Sequence, residues 1–571
     1  MRKLTLFSTL LILALTLLPF SPAAAGQRRA AHNSGAAASS GQNGVDEITP
    51  DLLKNYLYFI ADDVMEGRDT PSRGLNTVAN FIAMNLQRWG FKPAGDDPKK
   101  PFFQDIMLRG TQIDPSATHA EIGGKDTPGR TLAYGKDFLA TAPGTAAGPL
   151  VYVGHGWVFK NKNIDPYKGI EIKDKIIVVS GNGLPKGTSF SDLRTGKQGV
   201  DWFTPGQYAA AHGARGMINV PDFRILSRWE AIERDNTAHP TYSVEKFHEN
   251  DGQQVPAIIA SASLVEELFQ GEKHTGSAIF NSPNAPDPID SFDLSPDKKM
   301  SFTVASKETE VPTQNVVAIW EGADPVLKDE YVALGAHYDH VGVGQPGPGG
   351  RGPSTPGNPA DTIYNGADDD GSGTTALLAI AQTLARNPRP KRSVLFVWHC
   401  GEEKGLWGSQ YFTDHPTVPL KQVDTQINID MIGRSKPAGD TNPLNKELTG
   451  PDGIYVIGSK MMSTELGDIT DAVNKSYLNL AFDYRYDDPK DPNRFFYRSD
   501  HYNYAKHGVP IVFFFDGTHE DYHRPGDEPN KIDYVKMSKV TRTVYLLLWK
   551  LTALPERVKV DKPLPAQLAA P

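Results

Sequence analysis

Cysteine is nearly absent. Cys400 is the only one in 571 residues, so no intramolecular disulfide can form, and the fold must be held by its core and by any metals it binds. A basic excess is missing too. Asp and Glu (68) outnumber Lys and Arg (59), giving a formal charge of −9, and no stretch gathers Lys and Arg into the stripe that a phosphate backbone requires. Nucleic acid is excluded as a partner. The one extended apolar run, Leu4 to Phe20, is broken by Ser8, Thr9, Thr16 and Pro19 and is short for a bilayer span. Arg2 and Lys3 precede it and Ala23-Ala24-Ala25-Gly26 follows, the pattern of a secretory signal (1–25) cleaved after Ala25. No cysteine follows the run to take a lipid. The expectation is an exported protein, periplasmic or extracellular, free of the membrane once the signal is removed.

What is present has an ordinary globular balance, 39% hydrophobic and 22% charged, in a chain long enough for two folded units. Residues 26–46, rich in Ala, Ser, Gly and Asn, read as a disordered spacer. Apolar spacing predicts helices over 52–65 and 77–91, the second ended by Gly90, with the loop EGRDTPSRG (66–74) between them. From 113 to 300 the texture is short strands, such as 150–158 and 175–182, with one helical segment at 206–214. After 301 strands alternate with helices: strands at 315–322, 330–339, 392–400, 424–432, 453–460 and 509–517, and helices at 374–387 and 540–554. Continuously apolar strands of this kind belong in a buried sheet. The expected fold is therefore α/β, a mostly parallel or mixed sheet flanked by helices over 47–112 and 301–556. A β-rich domain (113–300) is inserted into it, and 557–571 form a tail.

Chemistry concentrates in five short segments: AHYDHVG (336–342), NGADDDGSG (365–373), HCGEEKGLWGS (399–409), INIDMIG (427–433) and DYHRPGDE (521–528). Four follow strand candidates closely, and in open α/β sheets the ligand crevice lies beyond the carboxyl ends of the strands. His337, Asp369, Glu403, Asp430 and His523 are the candidate metal ligands. Two imidazoles and three carboxylates suit zinc or a neighbouring divalent ion, and can hold two ions if one carboxylate bridges them. Taken singly, DDDGSG is an Asp-rich turn and a glutamate pair is surface charge. Their occurrence together reverses that reading. His399 and Cys400 read as packing residues at a strand end. The Gly/Pro-rich stretch 342–359 reads as a loop on the rim of the site that gates access.

The segments together resemble the M28 family of zinc peptidases, in its co-catalytic zinc aminopeptidase branch. His337-Tyr338-Asp339 is similar to that family's HxD, GADDDGSG to its bridging-Asp segment, GEEKGLWGS to its Glu-Glu pair, NIDMIG to its later Asp ligand, and Tyr522-His523 to its last ligand with the preceding tyrosine. Residues 113–300 are similar to the protease-associated domain often inserted in this family. The resemblance implies two zinc ions per chain, with Asp369 bridging them, His337 and Asp430 completing one and Glu403 and His523 the other. It implies that Glu402 takes the proton of a water bound to the metals and passes it to the leaving amine. Asp339 would fix the His337 tautomer, and Tyr522 would donate to the oxyanion. His340 becomes a solvated loop histidine, because the pattern places the ligand two residues before the Asp. The implied activity is removal of the amino-terminal residue from peptides. Its nearest rival is a carboxypeptidase, for which Arg485, Arg494 or Arg498 would supply a basic pocket; a non-catalytic binding protein on the same fold is disfavoured by the intact ligands and Glu402.

Overall fold

The computed structural model describes residues 42–564 apart from 125–126, 182, 190–191, 194–195, 249–253, 286 and 345–359. The predicted signal, most of the spacer, the end of the tail and most of the 342–359 loop lie outside the described residues. Two helices lead in. Helix α1 (Pro50–Ile60) starts where the Thr49 hydroxyl accepts from the Leu52 N–H at 3.1 Å, with Pro50 in the first turn. Helix α2 (Arg73–Trp89) is capped by Ser72 and stopped by Gly90, whose φ of 81° is left-handed.

The larger sheet holds the strands that matter for chemistry. Strands β1 (Phe103–Ile113) and β2 (Ser306–Trp320) form a long antiparallel pair. Then come β3 (Tyr331–His337), β4 (Ser393–His399), β5 (Val423–Ile429), β6 (Gly453–Ile457) and β7 (Ile511–Phe515). The spatial order β1-β2-β4-β3-β5-β7-β6 makes a mixed sheet, in which β4, β3, β5 and β7 are adjacent and mutually parallel. This is the expected α/β sheet. Alternate residues enter opposite cores, Val316, Ala318 and Trp320 on one face and Val317 and Ile319 on the other. Helices α1, α3 (Gly371–Arg386) and α4 (Tyr534–Thr552) cover the first face; residues of 407–414 and 501–506, among them Phe412 and Tyr504, cover the second. The parallel strands are buried on both faces, and each fully buried Ile, Val or Phe contributes roughly 2 kcal/mol.

Residues 119–304 build a second sheet around four parallel strands, 144–152, 176–180, 216–220 and 257–260. This part is more helical than the sequence suggested. Besides 205–211, helices occupy 223–226, 229–238, 262–269 and 276–281, several too short for a period of 3.6 to register but started by hydroxyl caps at Ser261 and Thr275. Thr241–Val244, from within the same stretch, pairs with residues 108–111 at the edge of the larger sheet. Among the described residues no helix is long and apolar enough to cross a membrane.

One buried group of the second face gives a stability prediction. His501 is fully buried with its ring stacked 4.4 Å from Phe513, and burial pushes its pKa down to about 3. The folded protein therefore refuses a proton that the unfolded chain accepts below its ordinary 6.5. The stability this residue contributes is complete above 6.5 and is lost as pH falls from there toward 3. At pH 5 the loss is roughly 2 kcal/mol. Urea unfolding at pH 7.5 and pH 5 is expected to show this extra acid sensitivity in the wild type and not in His501→Phe; equal sensitivity in both would contradict it.

Candidate metal centre

The parallel quartet explains the convergence. With β4, β3, β5 and β7 side by side and pointing the same way, His337 ends β3, Glu402 and Glu403 follow β4, Asp430 follows β5, and the segment after β7 returns Tyr522 and His523 to the same rim. Asp369 arrives on the turn before α3. All six of the predicted ligand and base residues meet. His337 Nε2 lies 3.2 Å from Asp369 Oδ1, 3.6 Å from Asp430 Oδ1 and 3.9 Å from Glu402 Oε2. On the other side of the same carboxylate, His523 Nε2 lies 3.0 Å from Asp369 Oδ2 and 3.1 Å from Glu403 Oε2. Asp369 thus presents one oxygen to each of two donor groups, the arrangement a bridging carboxylate needs.

The turn that carries Asp369 is held from both flanks. The Asp370 carboxylate accepts from the backbone N–H groups of His337 (3.2 Å), Met431 (3.2 Å) and Gly373 (2.8 Å), joining the ends of β3 and β5 to the start of α3. The N–H groups of Asp368 and Asp369 donate to the Asp527 carboxylate at 3.0 and 3.1 Å, and Asp368 Oδ1 accepts from Gly433 at 2.6 Å. Asp368, Asp370 and Asp527 therefore shape the site without entering it. The sequence showed them only as an acidic run and a PGDE turn.

Two placements differ from the sequence reading. His340 is fully buried rather than solvated, with Nδ1 2.7 Å from Glu403 Oε1; together with Asp369 and Glu403 it forms a second group of possible ligands beside His337, Asp369 and Asp430. The turn after His337 folds inward because the His340 N–H donates to the Arg68 carbonyl. Asp339 is buried beside His337, but its carboxylate stands 3.6 Å from Nδ1, and the nearer oxygen is its own backbone carbonyl at 3.1 Å. Asp339 Oδ1 instead accepts from the Glu402 N–H at 3.1 Å. His399 and Cys400 are buried at the end of β4, His399 against Asp500 (3.2 Å) and the Tyr504 hydroxyl (3.0 Å).

Electrostatics argue for cations here. Burial opposes charge on Asp369, yet hydrogen bonds with His337 and His523 outweigh it and hold the carboxyl well below the usual range. Burial and the Asp369 charge push Glu403 up, and His340 and His523 more than offset them, leaving it at about 2. Burial pushes His523 down, but Asp369 and Glu403 raise it to about 10; His337 is likewise raised, against its burial, by Glu402 and Asp430. The buried carboxylates favour positive charge, and so protons, on the imidazoles. Divalent ions would meet that demand and displace the protons. His337 Nε2, Asp369 Oδ2 and Glu403 Oε1 are buried and face the ion-pair partners given above without a well-directed hydrogen bond, where native interiors leave few such atoms. The residues fit zinc in number, type and spacing.

The centre opens onto a cleft whose lining includes Asp369, Glu402 and Asp430 at its base and Met431, Phe495, Phe513 and Phe515 as an apolar wall. Tyr522 stacks on His523 at 4.0 Å, and its hydroxyl accepts from Arg498 Nη2 at 3.3 Å. Burial, with the Asp369 and Glu403 charges, raises the Tyr522 pKa, so it keeps its O–H. Of the three arginines considered for a basic pocket, only Arg498 lines this cleft; Arg485 pairs with Asp483 at 2.7 Å and Arg494 lies over Tyr497.

Comparison with known proteins bears on the same region. Residues 315–548 match the model of Peptidase family M28. The probable leucine aminopeptidase 2 of Aspergillus oryzae (strain ATCC 42149 / RIB 40) is 30% identical over 221 residues, which is 38% of this chain and 36% of that protein. The uncharacterized protein YfbL of Escherichia coli (strain K12) is 29% identical over 250 residues, 42% of this chain and 71% of its own. The matched region thus spans little more than a third of the fungal relative. Among solved structures, the aminopeptidase from Aneurinibacillus sp. strain AM-1 aligns over 91% of this chain and 98% of its own at 16% identity, with a TM-score of 0.49.

Proposed function

We propose, for a chain whose residues 315–548 match the model of Peptidase family M28, that the protein is a member of that family and an exported di-zinc aminopeptidase. The observation that carries this is the pair of donor groups meeting on the two oxygens of Asp369, with Glu402 beside them on the cleft. His337, Asp369 and Asp430 would hold one ion, and Asp369, Glu403 and His523 the other, with His340 steadying Glu403 from behind. When bound, the ions would supply Lewis-acid activation of the scissile carbonyl and of a water. Glu402 takes that water's proton and delivers it to the leaving nitrogen as the C–N bond breaks. Asp339 fixes the backbone at Glu402 through its N–H. Tyr522 accepts from Arg498 and so keeps its own O–H free to donate to the carbonyl oxygen as that oxygen becomes charged. Carboxylates at the base of the cleft favour a substrate ammonium group over a substrate carboxylate. Export rests on the predicted leader at 1–25, and residues 113–300 are read as an inserted protease-associated domain.

A carboxypeptidase is the second reading, favoured by the Arg498 guanidinium on the cleft. Release of free amino acid from unblocked and amino-terminally acetylated peptides separates the two. The zinc-loaded protein is expected to cleave unblocked peptides and to lose cleavage on acetylation. Equal cleavage of both sets, from the carboxyl end, would replace the aminopeptidase with its rival.

A further inference from the structure

The loop that begins at Glu66 reads from sequence as a plain connection between two helices and lies well outside residues 315–548. Its side chains and carbonyls nevertheless reach three of the segments that carry the candidate ligands. Arg68, though an arginine in a loop, is fully buried. Its Nε donates to the Tyr338 carbonyl at 3.0 Å, directly after His337. Nη1 and Nη2 donate to the Asn365 and Gly366 carbonyls at 2.6 and 2.9 Å, in the turn that leads to Asp369; Nη1 also anchors to Ile60 at 3.0 Å. The neighbours of Arg68 extend the grip. The Gly67 and Arg68 carbonyls accept from the N–H groups of Gly342 and His340, Asp69 accepts from Lys404 at 2.7 Å, and the buried Thr70 hydroxyl accepts from the Gly401 N–H at 3.1 Å, just before Glu402 and Glu403. Gly67 has a φ of 64°, and a Cβ there would collide with the Gly342 and Tyr364 carbonyls, so the close approach requires glycine.

We propose that Gly67–Thr70 is a clasp that sets the spacing of the metal ligands from outside the metal-binding segments, with Arg68 as its main positioning residue. The inference rests on the di-zinc reading above. Two physical facts support it. The guanidinium is a rigid fork able to bind several carbonyls at once in fixed directions, which a lysine ammonium on a flexible stem cannot reproduce. A buried cation is also costly unless it is compensated, and the charges that favour this one through space are Asp339, Asp527, Asp369 and Asp370. Arg68 therefore ties two ligand turns together while offsetting the mutual repulsion of the carboxylates around them.

The test uses the full chain stripped of metal and titrated with zinc against a chromophoric chelator, well below the thermal midpoint. Arg68→Lys keeps the charge and loses the fork. It is expected to bind zinc about 10- to 100-fold more weakly than the wild type, with a lower kcat at saturating zinc and little change in KM. Thr70→Val removes only the acceptor for Gly401 and is expected to weaken the more loosely held ion, while Thr70→Ser restores it; this pair decides the matter should Arg68→Lys fail to fold. Wild-type zinc affinity in both Arg68→Lys and Thr70→Val, with only the thermal midpoint lowered, would reduce the loop to a structural brace and overturn the proposal. A wild-type chain that takes up no zinc would instead overturn the metal-centre reading, and the clasp with it.

Discussion

Glu402→Gln is expected to lower kcat by about 10³-fold while zinc content and KM stay within about twofold of the wild type. Glutamine keeps the length and shape of the side chain, and the contact that places this residue, from its backbone N–H to Asp339 at 3.1 Å, does not involve the side chain at all. Only the ability to accept a proton is removed. Burial, reinforced by the charges of Glu403, Asp430 and Asp500 and partly offset by His337, raises the pKa of this carboxyl well above the ordinary value, the tuning that gives a carboxylate enough basicity to deprotonate water. Its charge is not needed to hold the ions, since Asp369, Asp430 and Glu403 point at the two imidazoles and Glu402 Oε2 is the more distant, at 3.9 Å. Steady-state kinetics with metal analysis of the same sample checks both halves. Activity within tenfold of the wild type would move the base elsewhere; loss of zinc in step with activity would make Glu402 a ligand.

Strands such as Ser393–His399 and Ile511–Phe515 were legible because they are mostly apolar on both faces and stop at Gly- or Asp-rich punctuation. Val423–Ile429 is wholly buried and ends at Asp430, so a run of residues such as INI in the sequence already says that the acid after it sits on a rim. The short helices 262–269 and 276–281 span too few turns to show a period, and their start depends on hydroxyl caps that look like any serine or threonine. Inside the site, the harder distinctions were those that spacing cannot make. His337 and His340 are three residues apart in one turn; that both face inward depends on the direction of the Val341–Gly342 backbone, and that is set by carbonyls at Gly67 and Arg68, some 270 residues earlier in the chain. An arginine followed by an aspartate in a short loop looks like surface charge. Only the fold reveals that the guanidinium has turned inward.

Asp369→Asn should abolish the centre more completely than loss of any outer ligand. The carboxylate gives Oδ1 to the His337 side at 3.2 Å and Oδ2 to the His523 side at 3.0 Å, so the amide leaves one neutral oxygen for a position that asked for two anionic ones. The backbone scaffold is untouched: the Asp369 N–H still donates to Asp527, and Asp370 still gathers the N–H groups of His337, Met431 and Gly373. The variant is therefore expected to fold, to fall from two tightly held zinc ions to one or none, and to lose at least about 10³-fold in kcat. Thermal unfolding gives an independent reading. A ligand bound only by the folded state stabilises it by about 4 kcal/mol at a thousand times its Kd, so zinc should raise the wild-type midpoint by several degrees, a chelator should reverse the shift, and both effects should be clearly smaller or absent in the variant. If Asp369→Asn kept two ions and the zinc-dependent shift, the two imidazole groups would be separate sites, and Asp369 would be an ordinary buried acid between them rather than the group that makes them one centre.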